Sequence, residues 1–306
     1  MFNRYLTYYS AATQFVIFCA LLSMGFLIGG FFFESSVSRF LNIKGEDVQQ
    51  LTNIKPAMAA TLRWILPVSN FLILFVPALV FSYLAYPKPT EYLGVKKKNL
   101  PIFITLALLW FVCSLPFSSW LERWNALLPW VQQFEKSSDH LDQLGTSMLN
   151  LHSSGDLLLN LFFIALLPAI IEEVFFRGCL QQLLLNWLKG KEYLVIVLVA
   201  LIFSAFHMQM SAFLPRFFLG LLLGLTYFWS ANLWNSILIH FINNALIVVL
   251  FNLQQRGKIH INLQQLPDVP WFFALGSLLF SIAIGLWFYK KKLSFNVYQL
   301  KEEEPA

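Results

Sequence analysis

The chain has 306 residues, 58% of them hydrophobic and only 12% charged, about half the charge of an ordinary soluble domain. The net charge of +5 is spread between apolar runs, so it reads as a topology signal and not as a nucleic-acid surface. Cys19, Cys113 and Cys179 form no CxxC and lie in or beside apolar runs, which leaves no disulfide framework and no cysteine metal site.

Eight apolar runs follow in order, each near the ~20 residues that cross hydrocarbon. They cover roughly Ala11–Phe33, Trp64–Tyr86, Leu100–Phe117, Leu157–Leu185, Tyr193–His207, Phe213–Trp229, Leu233–Phe251 and Pro270–Tyr289. The first is too long for a signal-peptide core and no small-x-small site follows it closely, so it is read as a span. The fifth is short as drawn and is expected to continue past His207. The 32 Phe, 10 Trp and 10 Tyr suit a lipid-facing surface with interfacial belts.

Two long connections remain, about 34–63 and 118–156. Both hold amphipathic stretches, and Trp120, Trp124 and Trp130 in the second suit a helix lying at the interface. No internal repeat and no second soluble domain is visible. The expected fold is therefore all-α, a polytopic membrane bundle of about eight transmembrane helices. It forms a single integral-membrane domain over residues 1–306. Lys96, Lys97, Lys98, Lys189, Lys191, Lys290, Lys291 and Lys292 gather on one side, which predicts both termini in the cytoplasm. Glu302, Glu303 and Glu304 read as a solvated tail.

Polar residues inside these runs carry the chemistry. The fourth run contains Glu172, Glu173 and Arg177, and each such charge at the bilayer centre costs roughly 2.5–3.5 kcal/mol even on insertion scales. Glu173 and Arg177 are four apart and can pair on one helix face. Glu172 points about 100° away, so it can face a cavity, where desolvation raises a carboxyl's pKa towards general-base use. The fifth run ends with Phe203 one turn before His207. The seventh holds His240 and Asn244, again four apart, which offer two donors of the kind an oxyanion hole needs. Taken singly, a membrane His or Asn is ordinarily a helix-packing hydrogen-bonder. Their conjunction on neighbouring helices points to a site. His140, His152 and His260 fall in expected loops and read as solvated, and Gly220 with Gly224 reads as close helix packing.

The three stretches Glu172-Glu173-Val-Phe-Phe-Arg177, Phe203-Ser-Ala-Phe-His207 and His240-Phe-Ile-Asn-Asn244 resemble the EExxxR, FxxxH and HxxxN motifs of the CPBP family, the CAAX prenyl endopeptidases and bacteriocin-processing enzymes. The motif-bearing part covers about residues 157–251. The resemblance implies a bundle of eight transmembrane helices and hydrolysis of a peptide bond in or near the membrane. By motif position, Glu172 and His207 would activate a water, His240 and Asn244 would stabilise the oxyanion, and Glu173 and Arg177 would support them. Members are often called metalloproteases, so a zinc requirement stays open, with Glu172, His207 and His240 as its candidate ligands. The implied partners are the lipid bilayer and a protein or peptide substrate, with prenylated chains one option; a bacterial inner membrane would suit such a protein. The sequence lacks HExxH, GxGD and GxSG, which speaks against other intramembrane protease classes. The alternatives are a non-catalytic membrane partner in bacteriocin immunity or secretion, and a transporter, for which the expected repeats are missing.

Drawn from Leu157, Glu172 lies ~22 Å from one membrane face, whereas His207, drawn from Tyr193, lies ~21 Å from the other. The two would differ by about 13 Å in depth, so for joint action on one water either the fourth helix starts later and runs past Leu185, or the fifth starts deeper or tilts.

Overall fold

The computed structural model describes residues 2–44, 56–95, 100–129, 131, 145–149, 154–260 and 269–293. Among these the chain is helical with no strand. Seven helices are long and apolar enough to cross a membrane, and an eighth apolar helix is shorter. In chain order they are α1 (Ala11–Leu41), α2 (Ala57–Ala85), α3 (Pro101–Ala126), α4 (Gly155–Trp187), α5 (Glu192–Phe206), α6 (Phe213–Ser230), α7 (Leu233–Gln255) and α8 (Trp271–Lys291). The protein is an all-α polytopic membrane bundle. Lys96, Lys97, Lys98, Trp130, His140, His152 and Glu302 to Glu304 lie outside the described residues, as does much of both expected interfacial segments. Where those segments are described, they continue the long helices: α1 runs on to Leu41, α2 begins at Ala57 and α3 continues to Ala126.

α4 is the hub. Every residue from Val174 to Asn186 is buried, and its neighbours include α1, α2, α5, α6 and α7. One core, built from α1, α2, α4 and α5, includes Phe18, Phe81, Phe175, Phe176 and Phe203. A second joins α3, α6, α7 and α8 through Phe103, Trp110, Leu223 and Phe288. The outer faces of α1 and α8 present Leu27, Phe31, Phe273 and Phe280 to the surroundings, as lipid-facing helices should.

Two close crossings depend on glycine. A Cβ on Gly25 or Gly29 of α1 would meet Ile73 O at 2.6 Å or Ile73 Cγ1 at 2.4 Å, and Ser69 Oγ donates to Gly29 O at 2.9 Å. Gly220 and Gly224 of α6 seat against Ala200 and Ile196 of α5, as the small-residue spacing predicted. The crossing at Gly25 and Gly29 uses the same spacing and was not singled out in sequence.

α2 and α4 share a device. Each widens into π-helical hydrogen bonding just before a proline: Phe71–Phe75 precedes Pro77, and Leu161–Leu166 precedes Pro168. Proline removes a donor and clashes with the carbonyl four residues back, and a widened turn accommodates both without ending the helix. A further π segment, Val174–Gln181, has no proline and begins directly after Glu173.

α5 corrects the expectation that its run continues past His207. It has 15 residues, about 22 Å at 1.5 Å per residue, which is short of the ~30 Å hydrocarbon layer. His207 caps it, and Met208 takes φ 57°, a left-handed conformation that stops a helix. The depth conflict also disappears. α4 and α5 are joined by the turn at Leu188 to Lys191, and Glu172 and His207 each lie sixteen positions from it. Antiparallel helices measured from a shared turn bring the two residues level. The earlier estimate erred by anchoring α4 at its far end.

Candidate active site

The site forms where α4, α5 and α7 meet. Glu173 is fully buried and is held from two sides. Arg177 Nη1 donates to Glu173 Oε1 at 2.7 Å, and His240 Nδ1 lies 2.9 Å from the same oxygen. A carboxylate only accepts, so His240 Nδ1 carries its proton and donates. Arg177 Nη2 also donates to Gly220 O at 3.1 Å, and Gln181 Nε2 donates to Gly224 O at 3.1 Å. The four-residue step from Arg177 to Gln181 thus matches that from Gly220 to Gly224, and two polar hooks fasten α4 to the glycine face of α6. A buried charge is tolerable only when paired and hydrogen-bonded, and this network meets that condition for Arg177.

Glu172 has the other role. Its side chain keeps 13% exposure, and its Oε2 stands 3.6 Å from His207 Nε2 and 3.8 Å from His240 Nε2. That oxygen is buried with no hydrogen-bond partner. His207 Nδ1 lies 2.8 Å from Phe203 O; a carbonyl accepts, so Nδ1 carries the proton and Nε2 turns its lone pair towards Glu172. Both imidazoles are therefore oriented from behind, with Nε2 facing one carboxylate.

Phe203 is the packing centre. Its ring lies edge-on to His207 at 5.0 Å and to His240 at 5.7 Å, and the Arg177 guanidinium carbon sits 4.5 Å over its face. A guanidinium over an aromatic face gains cation–π attraction when desolvated. Asn244 is one turn beyond His240 and half-buried, and its Oδ1 accepts from Asn243 Nδ2 at 3.2 Å. Its partner is thus Asn243 and not a member of the Glu/His cluster, and its own Nδ2 is left to donate. A neutral imidazole at His240 has one N–H, and Glu173 takes it, so donation from Nε2 requires the doubly protonated ring. His260 is exposed and remote from this cluster.

The donor chemistry of Glu172, His207 and His240 resembles a metal set, with two lone pairs and a carboxylate converging and each ring held from behind. The spacing is wider than ligands held at about 2.1 Å by a tetrahedral ion would show, about 3.4 Å apart. Among the described residues no group of three or more His, Cys, Asp or Glu is arranged to hold a metal ion.

Several participants escaped sequence reading. Gln181, Asn125 and Arg216 fix the site's surroundings, yet each lies off the motifs. Only Gln181 left a trace, in the spacing it shares with Arg177. A cavity of about 210 Å³ lies between α3, α6 and α7, lined by Ser114, Ser118, Glu122, Arg216 and Asn243 among others. Through Asn243 it adjoins Asn244.

The bundle thus brings together two carboxylates, two oriented imidazoles and a guanidinium, groups from which acid–base chemistry is built. Residues 154–246 match the family described as Type II CAAX prenyl endopeptidase Rce1-like. The membrane-embedded CAAX protease MroQ of Staphylococcus aureus (strain USA300) is 29% identical over 94 residues, which is 29% of this chain and 38% of that protein. The aligned part thus spans well under half of that relative. No solved structure gives a significant match. Residues 154–246, which hold all three motifs, are thus similar to the CAAX prenyl endopeptidases.

Proposed function

We propose that this protein is an intramembrane endopeptidase that hydrolyses a peptide bond with a water activated by Glu172 and His207. The observation that carries the reading is the buried, unpartnered Glu172 Oε2 faced by His207 Nε2 at 3.6 Å. That gap exceeds a direct hydrogen bond and is of the kind one bridging water spans.

In the reaction, Glu172 takes a proton from the water while His207 Nε2 accepts a hydrogen bond from it. The water oxygen attacks the peptide carbonyl carbon, a C–O bond forms, and the π pair moves onto the carbonyl oxygen. Asn244 Nδ2–H and the Nε2–H of doubly protonated His240 stabilise that oxyanion. As the intermediate collapses, the C–N bond breaks and Glu172 returns its proton to the leaving amine. Glu173 and Arg177 act as positioning residues, holding His240 and fastening α4 to α6. Substrates with a lipidated segment would reach such a site laterally from the bilayer. The site offers a binding-only partner no use for an unpartnered buried carboxylate.

The same reading places both termini in the cytoplasm. Lys189 and Lys191 follow α4, and Lys290, Lys291 and Lys292 end α8. A backbone hydrogen bond from Leu293 N to Trp229 O, and the ring contact of Tyr193 with Phe228, bring those segments to one end of the bundle. Five exposed cations on one end support its being the cytoplasmic one.

The test is cleavage of a membrane-peptide library by purified protein in detergent, comparing wild type with Glu172→Gln, with and without chelator. Cleavage lost in the variant, with an unchanged melting curve, supports the reading. Equal cleavage by both proteins would sink it. Loss on chelation with recovery on added zinc would assign the water's activation to a metal held by Glu172, His207 and His240.

A further inference from the structure

α5 is too short for a full crossing and α6 starts only at Phe213, so in this membrane bundle the two are joined by an irregular connection, non-helical at residues 207–209 and a single 3-10 turn at Met210–Ala212. Such backbone is tolerated only where protein or a water-filled cavity satisfies its polar groups. Three side chains do this here. Ser204 Oγ donates to Phe213 O at 2.7 Å, and Arg216 donates to Gln209 twice, from Nη1 to its backbone O at 3.4 Å and from Nη2 to its side-chain Oε1 at 2.8 Å; both residues belong to the helices being joined. The third comes from elsewhere. Asn125, near the end of α3, is 0% exposed. Its Nδ2 donates to Met210 O at 2.8 Å and to Ser211 O at 2.7 Å, and its Oδ1 accepts from Leu214 N at 3.1 Å. Both amide hydrogens and the amide oxygen are thereby spent on the connection that leaves His207.

We propose that Asn125 is a positioning residue for His207, a clamp by which α3 sets where α5 ends and how the imidazole meets Glu172. This rests on the endopeptidase reading. α3 lies outside the region that matches the family, residues 154–246, so the clamp belongs to this chain's own scaffold and not to the motifs. His207 has one backbone anchor of its own, Nδ1 to Phe203 O. That anchor fixes the ring relative to α5, while the depth of the α5 end is fixed by the loop that follows. Only an amide of Asn length supplies two donors and one acceptor to these three groups. Ala supplies none, and Ser supplies one of each at shorter reach.

The test compares wild type with Asn125→Ala and Asn125→Ser, using a peptide cleaved by the wild type and amide hydrogen exchange of the purified proteins in detergent. Loosening the clamp displaces His207 without touching substrate contacts. The expected result for Asn125→Ala is a kcat about 10–100-fold lower with KM changed by less than about threefold, and Asn125→Ser falling between. Exchange across residues 207–214 should rise about tenfold or more while that of α7 stays the same. Exchange unchanged in that loop overturns the clamp. Raised exchange with unchanged kcat, or an effect confined to KM, overturns the positioning role. A wild type that cleaves nothing removes the endopeptidase reading and this catalytic role with it, and the exchange result then decides the clamp alone.

Discussion

α1 and α4 look alike as hydropathy patterns and do opposite work in the fold. Both are long and apolar. Yet α1 leaves Leu27 and Phe31 74% and 77% exposed, while α4 buries every side chain from Val174 to Asn186. In lipid the apolar side chain is equally content outside or inside, so hydrophobicity does not sort core from surface. What sorts them is the polar minority. α4 carries Glu173, Arg177, Gln181 and Gln182 in its buried stretch, and these residues hydrogen-bond to α6, α7 or the segment after α2. α1 has Gln14 as its one buried residue with such a side-chain amide, bonded to Leu6 O and Tyr9 O near its own start. Helices that need partners for polar groups go to the centre.

The sharpest way to break this contrast is at its chemical end. Glu172→Gln keeps the volume and removes the base, so cleavage should drop by about 10³-fold with the melting temperature unchanged, as read by peptide hydrolysis beside thermal unfolding. Next is the structural carboxylate. Arg177→Met leaves Glu173 buried with half its partners, and unfolding should cost about 3–5 kcal/mol less than for wild type. The double variant Glu173→Gln with Arg177→Met should recover part of that, and a double-mutant cycle measures how much. A smaller effect separates two glycines of one helix. Gly25→Val meets Ile73 O and should destabilise by about 1–3 kcal/mol, whereas Gly30, with nothing within 4 Å of a built Cβ, should accept Val within about 0.5 kcal/mol. The smallest is on the lipid face: Phe31→Leu in α1 and Phe280→Leu in α8 should be silent to within about 0.5 kcal/mol. Large losses there would mean that these faces are covered by protein and not lipid.

How much was legible in advance follows from which forces are local. The eight apolar helices were visible because crossing hydrocarbon sets a length and composition that one segment satisfies alone. The pairing of Glu173 with Arg177 was visible because four residues make one helical turn. The Phe203–His207 contact was visible for the same reason. The lengths of α1, α2 and α3 were underestimated, because a helix can leave the bilayer and continue through residues that hydropathy scores as loop. The end of α5 was missed because a left-handed Met208 and three side-chain hydrogen bonds stop it, and no pattern in its apolar run announces them.

The sequence by itself determined the class of fold, the spans, and which polar residues had to be accounted for, since each buried charge must find a partner and each motif sits within one or two turns. Tertiary structure alone decided that His240 spends its Nδ1 proton on Glu173, that Glu172 and His207 stand level across the α4–α5 turn, and that Asn125 reaches the loop behind His207. Those relations join residues 35 to 89 positions apart, and a pairing across helices is set by where whole helices dock, which no local spacing encodes.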